Sequence, residues 1–138
     1  MTESFVVDSS VTVSWVVESQ ADSEANKLRD AAASGMLIVP ALWAFEVANT
    51  LLTLKKRRKL AEEDYEDAGH WLSGLRPSVD EFHAQLIFGR ISELAFAQSL
   101  TVYDATYLEL ALRRRLPLAS RDVALNQAAR RAGVETLL

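Results

Sequence analysis

The chain has 138 residues, 49% hydrophobic and 25% charged, with a formal net charge of −4 and no cysteine. That length is about one domain with a filled core, the negative balance argues against a general polyanion binder held by bulk electrostatics, and the missing cysteines exclude disulfides and thiolate metal sites, compatible with a reducing cytoplasm. No apolar run reaches the roughly 18 residues of a membrane span, and the N-terminus lacks a basic region followed by a small-residue cleavage site, so no secretory signal is expected.

Strand-like and helix-like patterns alternate along the chain. "FVVD" (5–8) is a short β-branched run that reads as a buried strand. Residues 22–34 carry Ala25, Leu28 and Ala32 at helical spacing, with Gly35 as the stop. "MLIV" (36–39) reads as a second buried strand ended by Pro40, and 41–56 as a strongly apolar helix. "LAEEDYEDAGHWLSGL" (60–75) is an amphipathic helix with Tyr65, Ala68, Leu72 and Leu75 on one stripe.

"RPSV" (76–79) offers a short strand, and a long helix is expected from about Asp80 to Ser99, with Phe82, Leu86, Ile87, Ile91 and Leu94 inward. A further helix begins near Tyr103. "PLAS" (117–120) is a strand, 121–133 a helix ending at Gly133, and "VETLL" (134–138) a final strand. Short buried strands separated by helices predict an α/β fold with a parallel sheet and right-handed crossovers. No linker, repeat or low-complexity segment interrupts it, so 1–138 reads as one domain.

The informative acids are those in apolar surroundings, because a charge there is costly unless it is paired or binds a metal. Asp8 stands at the carboxyl end of the first strand, where parallel sheets bind ligands; it is equally well placed to cap a helix starting at Ser9 or Ser10. Glu46 lies mid-helix in "LWAFEVANTLL", and its neighbours at i±3 and i±4, Leu42, Trp43, Asn49 and Thr50, include no cation. Asn49 is placed to orient its carboxylate. Asp104 and Asp122 each begin a helix, where the dipole alone favours an acid, and Ser120 is a competing cap beside Asp122.

Asp8, Asp104 and Asp122 share one pattern, an acid just after an apolar run and at a helix start. Adjacent strands about 4.8 Å apart would crowd such acids at one sheet edge, where they repel unless they share protons or a cation. Oxygen ligands without His or Cys suit Mg²⁺ or Mn²⁺, ions that in carboxylate sites assist phosphoryl chemistry.

These residues resemble a known family, and the likeness runs essentially the length of the chain. "VVDSSV", "PALWAFEVANTLL", "LTVYDATYLELAL" and "PLASRD" are similar, in order, to the four motifs of PIN-domain ribonucleases, most closely the VapC-type toxins of bacterial toxin–antitoxin pairs. The resemblance implies a three-layer α/β/α fold around a central parallel sheet. It implies a Mg²⁺- or Mn²⁺-dependent endoribonuclease acting in the cytoplasm, with Asp8 and Asp104 as main metal ligands and Glu46 and Asp122 completing the catalytic pocket. Ser10 and Ser120 would be supporting hydroxyls. A cognate antitoxin placing a basic side chain among the carboxylates, and a homodimer with its contact on an apolar helix such as 41–54, are implied too.

His70, on a polar helix face near Glu63 and Glu66, and His83, beside Phe82, are poor general bases. "KKRRK" (55–59) ends a helix, where cations complement the dipole, and reads as a solvated face first and an RNA contact second; "RRR" (113–115) and Arg121 flank two of the motif acids and are candidates for steering phosphate. Trp15, Trp43 and Trp71 read as core or interface rather than base-stacking platforms. Two rival functions remain: a phosphohydrolase with Asp8 as nucleophile, which lacks the Asp-x-Asp start because Ser10 replaces the second acid, and a non-catalytic binding module that keeps the pocket for partner contact.

Overall fold

The computed structural model describes residues 4–17 and 23–138. The first β-branched run forms β1 (Phe5–Val7), and "LIVP" forms β2 (Leu37–Pro40); every residue of both is buried. β3 (Ser78–Asp80) and β4 (Leu118–Ala119) complete one sheet in the order β3-β2-β1-β4, parallel throughout. Phe5 pairs with Leu37, Val6 with Leu118 and Pro40 with Asp80. Strands covered on both faces need no polar alternation, which is why β1 and β2 read as unbroken apolar runs.

Between β1 and β2 run α1 (Ser9–Val16) and α2 (Ser23–Ala33), and between β2 and β3 run α3 (Leu42–Lys56) and α4 (Glu62–Gly74). Asp22, the expected first residue of α2, lies outside the described residues. After β3 come α5 (Ala84–Leu86), a π-helical turn (Ile87–Ile91), α6 (Ser92–Gln98) and α7 (Val102–Arg114), and α8 (Val123–Arg131) follows β4. Helices α1 to α4 pack on one another, and α7 packs on β1, β2 and β4 together with α6 and α8. The β1–β2 and β2–β3 crossovers run one way along the sheet and the β3–β4 crossover runs back past β1, so right-handed connections place these two groups on opposite faces. The result is the three-layer α/β/α arrangement around a parallel sheet.

Two expectations are corrected. The helix expected from Asp80 to Ser99 begins only at Ala84, because Asp80 is the last residue of β3 and His83 caps the helix, its Nδ1 accepting from Leu86 N at 3.2 Å. Its middle widens into the π-helical turn, where Ser92 Oγ donates to the Ile87 carbonyl at 2.6 Å. The strand expected at 134–138 is an isolated bridge between Thr136 and Leu118. Two-residue β4 offers too short an edge for a full ladder.

Chain direction reverses at β1. The first crossover leads to β2 on one side, while β4 lies on the other. In open parallel sheets the carboxyl ends of the two strands flanking such a switch form the natural ligand crevice. Here those strands are β1 and β4, and they end at Asp8 and Ser120.

Candidate active site

Asp8 leaves β1 with its backbone N–H donating to Ala119 O at 3.1 Å. Its side chain caps α1 by accepting from Val11 N at 3.2 Å. Oδ1 also accepts from Ser10 Oγ at 2.6 Å, and Oδ2 from Ser120 Oγ at 2.5 Å. The capping role is therefore real, and it does not exhaust the group: an ionised carboxylate offers about four acceptor directions, of which three are taken. Asp8 is only 4% exposed, and burial raises its pKa, opposed by the bonds from Ser10, Ser120 and Val11 and reinforced by the charge of Asp122.

The two serines tie the β4–α8 turn to this group. Ser120 Oγ, while donating to Asp8, accepts from Asp122 N at 2.9 Å; Ser10 Oγ accepts from Arg121 N at 3.0 Å. Asp122 is exposed and caps α8, accepting from Leu125 N at 2.8 Å. Asn126, a turn later, donates Nδ2 to Ser120 O at 2.9 Å, which leaves its Oδ1 buried without a hydrogen-bond partner.

Asp104 sits in the first turn of α7, whose cap is Thr101; Thr101 Oγ1 accepts from Asp104 N at 3.0 Å. Burial raises its pKa, and the charges of Asp122 and Asp8 raise it further. Glu46, from the second turn of α3, accepts at Oε1 from Tyr107 Oη at 2.5 Å. Its pKa is also raised by burial, against the Tyr107 bond, and by the charges of Asp104 and Asp8. Tyr107 is 1% exposed, and burial beside Glu46 pushes its own pKa up, so it stays a donor. α3 is pinned to α1 by Trp43 Nε1 donating to Thr12 Oγ1 at 2.8 Å.

The four sequence-predicted acids thus form one electrostatic group, since the charges that shift Asp8, Glu46 and Asp104 are those of one another and of Asp122. Ser10 and Ser120 stand where the resemblance puts supporting hydroxyls. Asn49 does not reach Glu46: it is exposed, and the hydroxyl of Tyr107, sixty-one residues away, does the orienting. Tyr107 was hidden in sequence because "DATYLELAL" shows an aromatic at a core position, with nothing to pair it with α3. Asn126 gave no signal at all.

The "RRR" run also has another employment. Glu109 is a buried acid, 1% exposed, that accepts from Arg113 Nε at 2.9 Å; Arg113 Nη2 donates to Asp80 at 2.6 Å, and Arg114 lies 3.7 Å from Asp80. Two of the three arginines are committed to fixing α7 on the end of β3.

Among the described residues, no three His, Asp or Glu side chains close into a preformed metal cage. The donor set still suits a hard cation. It is all oxygen, its mutual repulsion is relieved by added positive charge, and Asp8 keeps an unused acceptor direction; nearby in sequence, Asn126 Oδ1 has no hydrogen-bond partner among the described residues. Mg²⁺ keeps several of its waters and needs only one or two carboxylates, so a closed cage is not required.

A family model described as PIN domain matches residues 5–131. The chain belongs to the PIN domain family. Solved structures share the PIN architecture: PAE2754 from Pyrobaculum aerophilum superposes with a TM-score of 0.69 at 20% identity, covering 99% of this chain and 91% of that one. FitAcB from Neisseria gonorrhoeae gives 0.64 at 16% identity, covering 96% and 95%. A toxin–antitoxin complex from Klebsiella pneumoniae gives 0.58 at 20%, covering 86% and 87%. At these identities the likeness is one of fold. A comparison of the sequence with curated proteins finds no match. No helix among the described residues is long and apolar enough to cross a membrane.

Proposed function

We propose that this PIN domain, read as a single unit over 1–138, is a Mg²⁺- or Mn²⁺-dependent endoribonuclease. The observation that carries the proposal is the coupling of Asp8, Glu46, Asp104 and Asp122, drawn from four separate segments, beside the switch between β1 and β4. PIN domains are generally nucleases, which makes an RNA phosphodiester the natural substrate for such a site.

Asp8 and Asp104 would hold the ion, with Glu46 and Asp122 completing the pocket directly or through water. When bound, the ion supplies Lewis-acid polarisation of the phosphodiester and a lowered pKa for the attacking water. The chain's own residues do the rest. Ser10 and Ser120 favour the ionised form of Asp8 by donating to both of its oxygens, opposing the burial that raises its pKa. Tyr107 holds Glu46 through Oε1 alone, so Oε2 would remain available to the ion. In-line attack of water breaks the P–O3′ bond and leaves a 5′-phosphate and a 3′-hydroxyl. Without positive charge the four carboxylates repel substrate phosphate, so apoprotein is inactive.

The neighbours include a toxin–antitoxin complex, and the motif likeness points the same way. The chain is therefore read as a cytoplasmic toxin, inhibited by an antitoxin that inserts a basic side chain among the acids. It is read as a homodimer as well, for which Phe45 on α3, 81% exposed, supplies apolar surface. Purified protein freed of its partner should cleave RNA with Mg²⁺ or Mn²⁺ and stop with a chelator. Asp8→Asn and Asp104→Asn should each abolish cleavage while the far-UV circular dichroism stays native. Equal cleavage by either variant removes the metal-site reading, and a folded parent with no turnover under any divalent ion favours the binding-module alternative.

A further inference from the structure

Outside the acidic pocket, the strongest concentration of uncommitted charge lies at the end of α3. Lys55 is taken, 3.3 Å from Glu62 and 4.5 Å over the Tyr65 ring. Lys56, Arg57, Arg58 and Lys59 are all exposed, and no hydrogen bond or ion pair engages their side chains among the described residues. Among the described residues no acid of the following helix lies within ion-pair distance of them, its first-turn Glu62 being paired with Lys55. Complementing the helix dipole accounts for Lys55 and Lys56 in the last turn; Arg57 is the cap itself, and Arg58 and Lys59 lie past it.

The backbone displays these side chains on a tight turn. Arg58 N–H donates to Lys55 O at 3.0 Å and Lys59 N–H to Leu54 O at 2.8 Å, the two bonds of a Schellman turn. The residue at its left-handed position is Arg58, φ 57°, where glycine is favoured. At α2 the same need is met by Gly35, φ 86°. The ends of α6 and α7 place Ser99 and Arg115 at the same left-handed position, both at φ 55°, so a non-glycine helix stop recurs in this chain.

The turn also has a defined relation to the acids. Glu46, Thr50, Thr53 and Arg57 are spaced i, i+4, i+7 and i+11, which places them on one face of α3. That face is a polar stripe on an otherwise apolar helix, running from the pocket to the basic turn over about 16 Å at 1.5 Å per residue. It carries no basic side chain before Arg57.

We propose that residues 56–59 form a second phosphate-contacting surface for RNA, engaging the strand about 16 Å from the reacting bond, with the polar face of α3 as the track between. This rests on the ribonuclease reading and deepens it. On a chain of net charge −4, whose reactive site is itself acidic, a local cationic anchor sets affinity and direction of approach without requiring a basic protein. The contact is to the sugar–phosphate backbone and carries no base preference.

The test replaces Lys56, Arg57 and Lys59 by Gln and Arg58 by Gly, the last chosen to keep the turn. In an Asp104→Asn background, which prevents cleavage, the substitutions should weaken binding of a single strand of about 12 nucleotides by more than tenfold at low salt. They should lower the slope of log K against log salt by between about 1 and 3, at roughly 0.7 per phosphate contact. With Asp104 restored, cleavage of that strand should fall while cleavage of a dinucleotide, too short to span the track, stays at the parental rate. Unchanged affinity and salt slope overturn the proposal. Loss of binding to polyglutamate with RNA affinity intact also overturns it and assigns the turn to an acidic protein partner. Absence of RNA cleavage by the parent is a different outcome: it removes the ribonuclease reading itself.

Discussion

At the scale of single residues, Asp8 shows how a cap and a ligand can be one group. The bonds from Val11, Ser10 and Ser120 fix the carboxylate and leave one acceptor direction. The electrostatic signature has a direct consequence for pH dependence. Burial raises the folded-state pKa of Asp8, Glu46 and Asp104 above that of the unfolded chain. Between the ordinary carboxylate value of about 4 and those raised values, the folded state binds more protons than the unfolded one. The stability they contribute is therefore fully present below the unfolded pKa and is lost as pH rises through the folded pKa. Metal-free protein should become more stable to urea as pH is lowered from neutral toward about 5, and Asp104→Asn should flatten that slope and stabilise the apoprotein at neutral pH. Unfolding curves across that range decide it, and a stability that rises with pH throughout would contradict the burial account.

Tyr107 supplies the second residue-scale prediction. Its hydroxyl is the hydrogen-bond donor to Glu46, so Tyr107→Phe removes the orienting contact and leaves the core ring in place. Divalent-ion affinity should drop roughly 10–100-fold, the range found when a group that orients a metal ligand is removed. Full rescue of cleavage at high Mn²⁺ separates that effect from misfolding. The acids were legible in sequence because a charge in an apolar run is conspicuous. Tyr107 was not, because a buried Tyr looks like any core aromatic until its partner across sixty-one residues is known.

Among the elements, α7 carries the most varied duties. It brings Asp104 to the pocket at its first turn, buries Tyr107 in its second, and is clamped to β3 at its far end through Glu109, Arg113 and Asp80. Arg113→Ala would leave the buried Glu109 facing only Arg90, at 3.8 Å. Breaking such a pair from one side costs about 3 kcal/mol, the low end of the usual range, because the Arg113 side chain is 38% exposed. Replacing Glu109 and Arg113 together by Leu should cost much less than either charge left alone. Urea midpoints of the single and double variants check both statements.

The π-helical turn gives a smaller effect of the same kind. Ser92 Oγ satisfies the Ile87 carbonyl within the widened turn, so Ser92→Ala should destabilise by about 1 kcal/mol. Sequence periodicity identified the inner face at Leu86, Ile87, Ile91 and Leu94, though not at Phe82, which precedes the helix, and it missed the widening, since one inserted residue shifts the pattern by less than a helical face. It also ran the helix through Asp80, whose role is set by pairing with Pro40 and by Arg113, contacts distant in sequence. The final strand failed for a related reason: whether "VETLL" pairs depends on the length of its neighbour β4.

For the whole molecule, the order β3-β2-β1-β4 is what turns four separate acids into one group. Alternating apolar strands and helices announced the α/β class, and the motif order announced the PIN family. Strand order itself is carried by long-range packing. The switch at β1 brings the turns after β1 and β4 together, and α3 and α7 deliver Glu46 and Asp104 from opposite layers. The site therefore belongs to the fold, and none of its segments forms it alone.

The most direct measurement is calorimetric titration of Mn²⁺ into the apoprotein in buffers of different ionisation enthalpy. If the four carboxylates form one cation site, in which burial raises the pKa values of Asp8, Glu46 and Asp104, binding will release protons at pH values just above the ordinary carboxylate range, as ligands deprotonate to coordinate. Asp8→Asn and Asp104→Asn will each cut affinity by at least about tenfold. Mn²⁺ binding of parental strength in either variant, or no binding to the parent at all, would contradict the account.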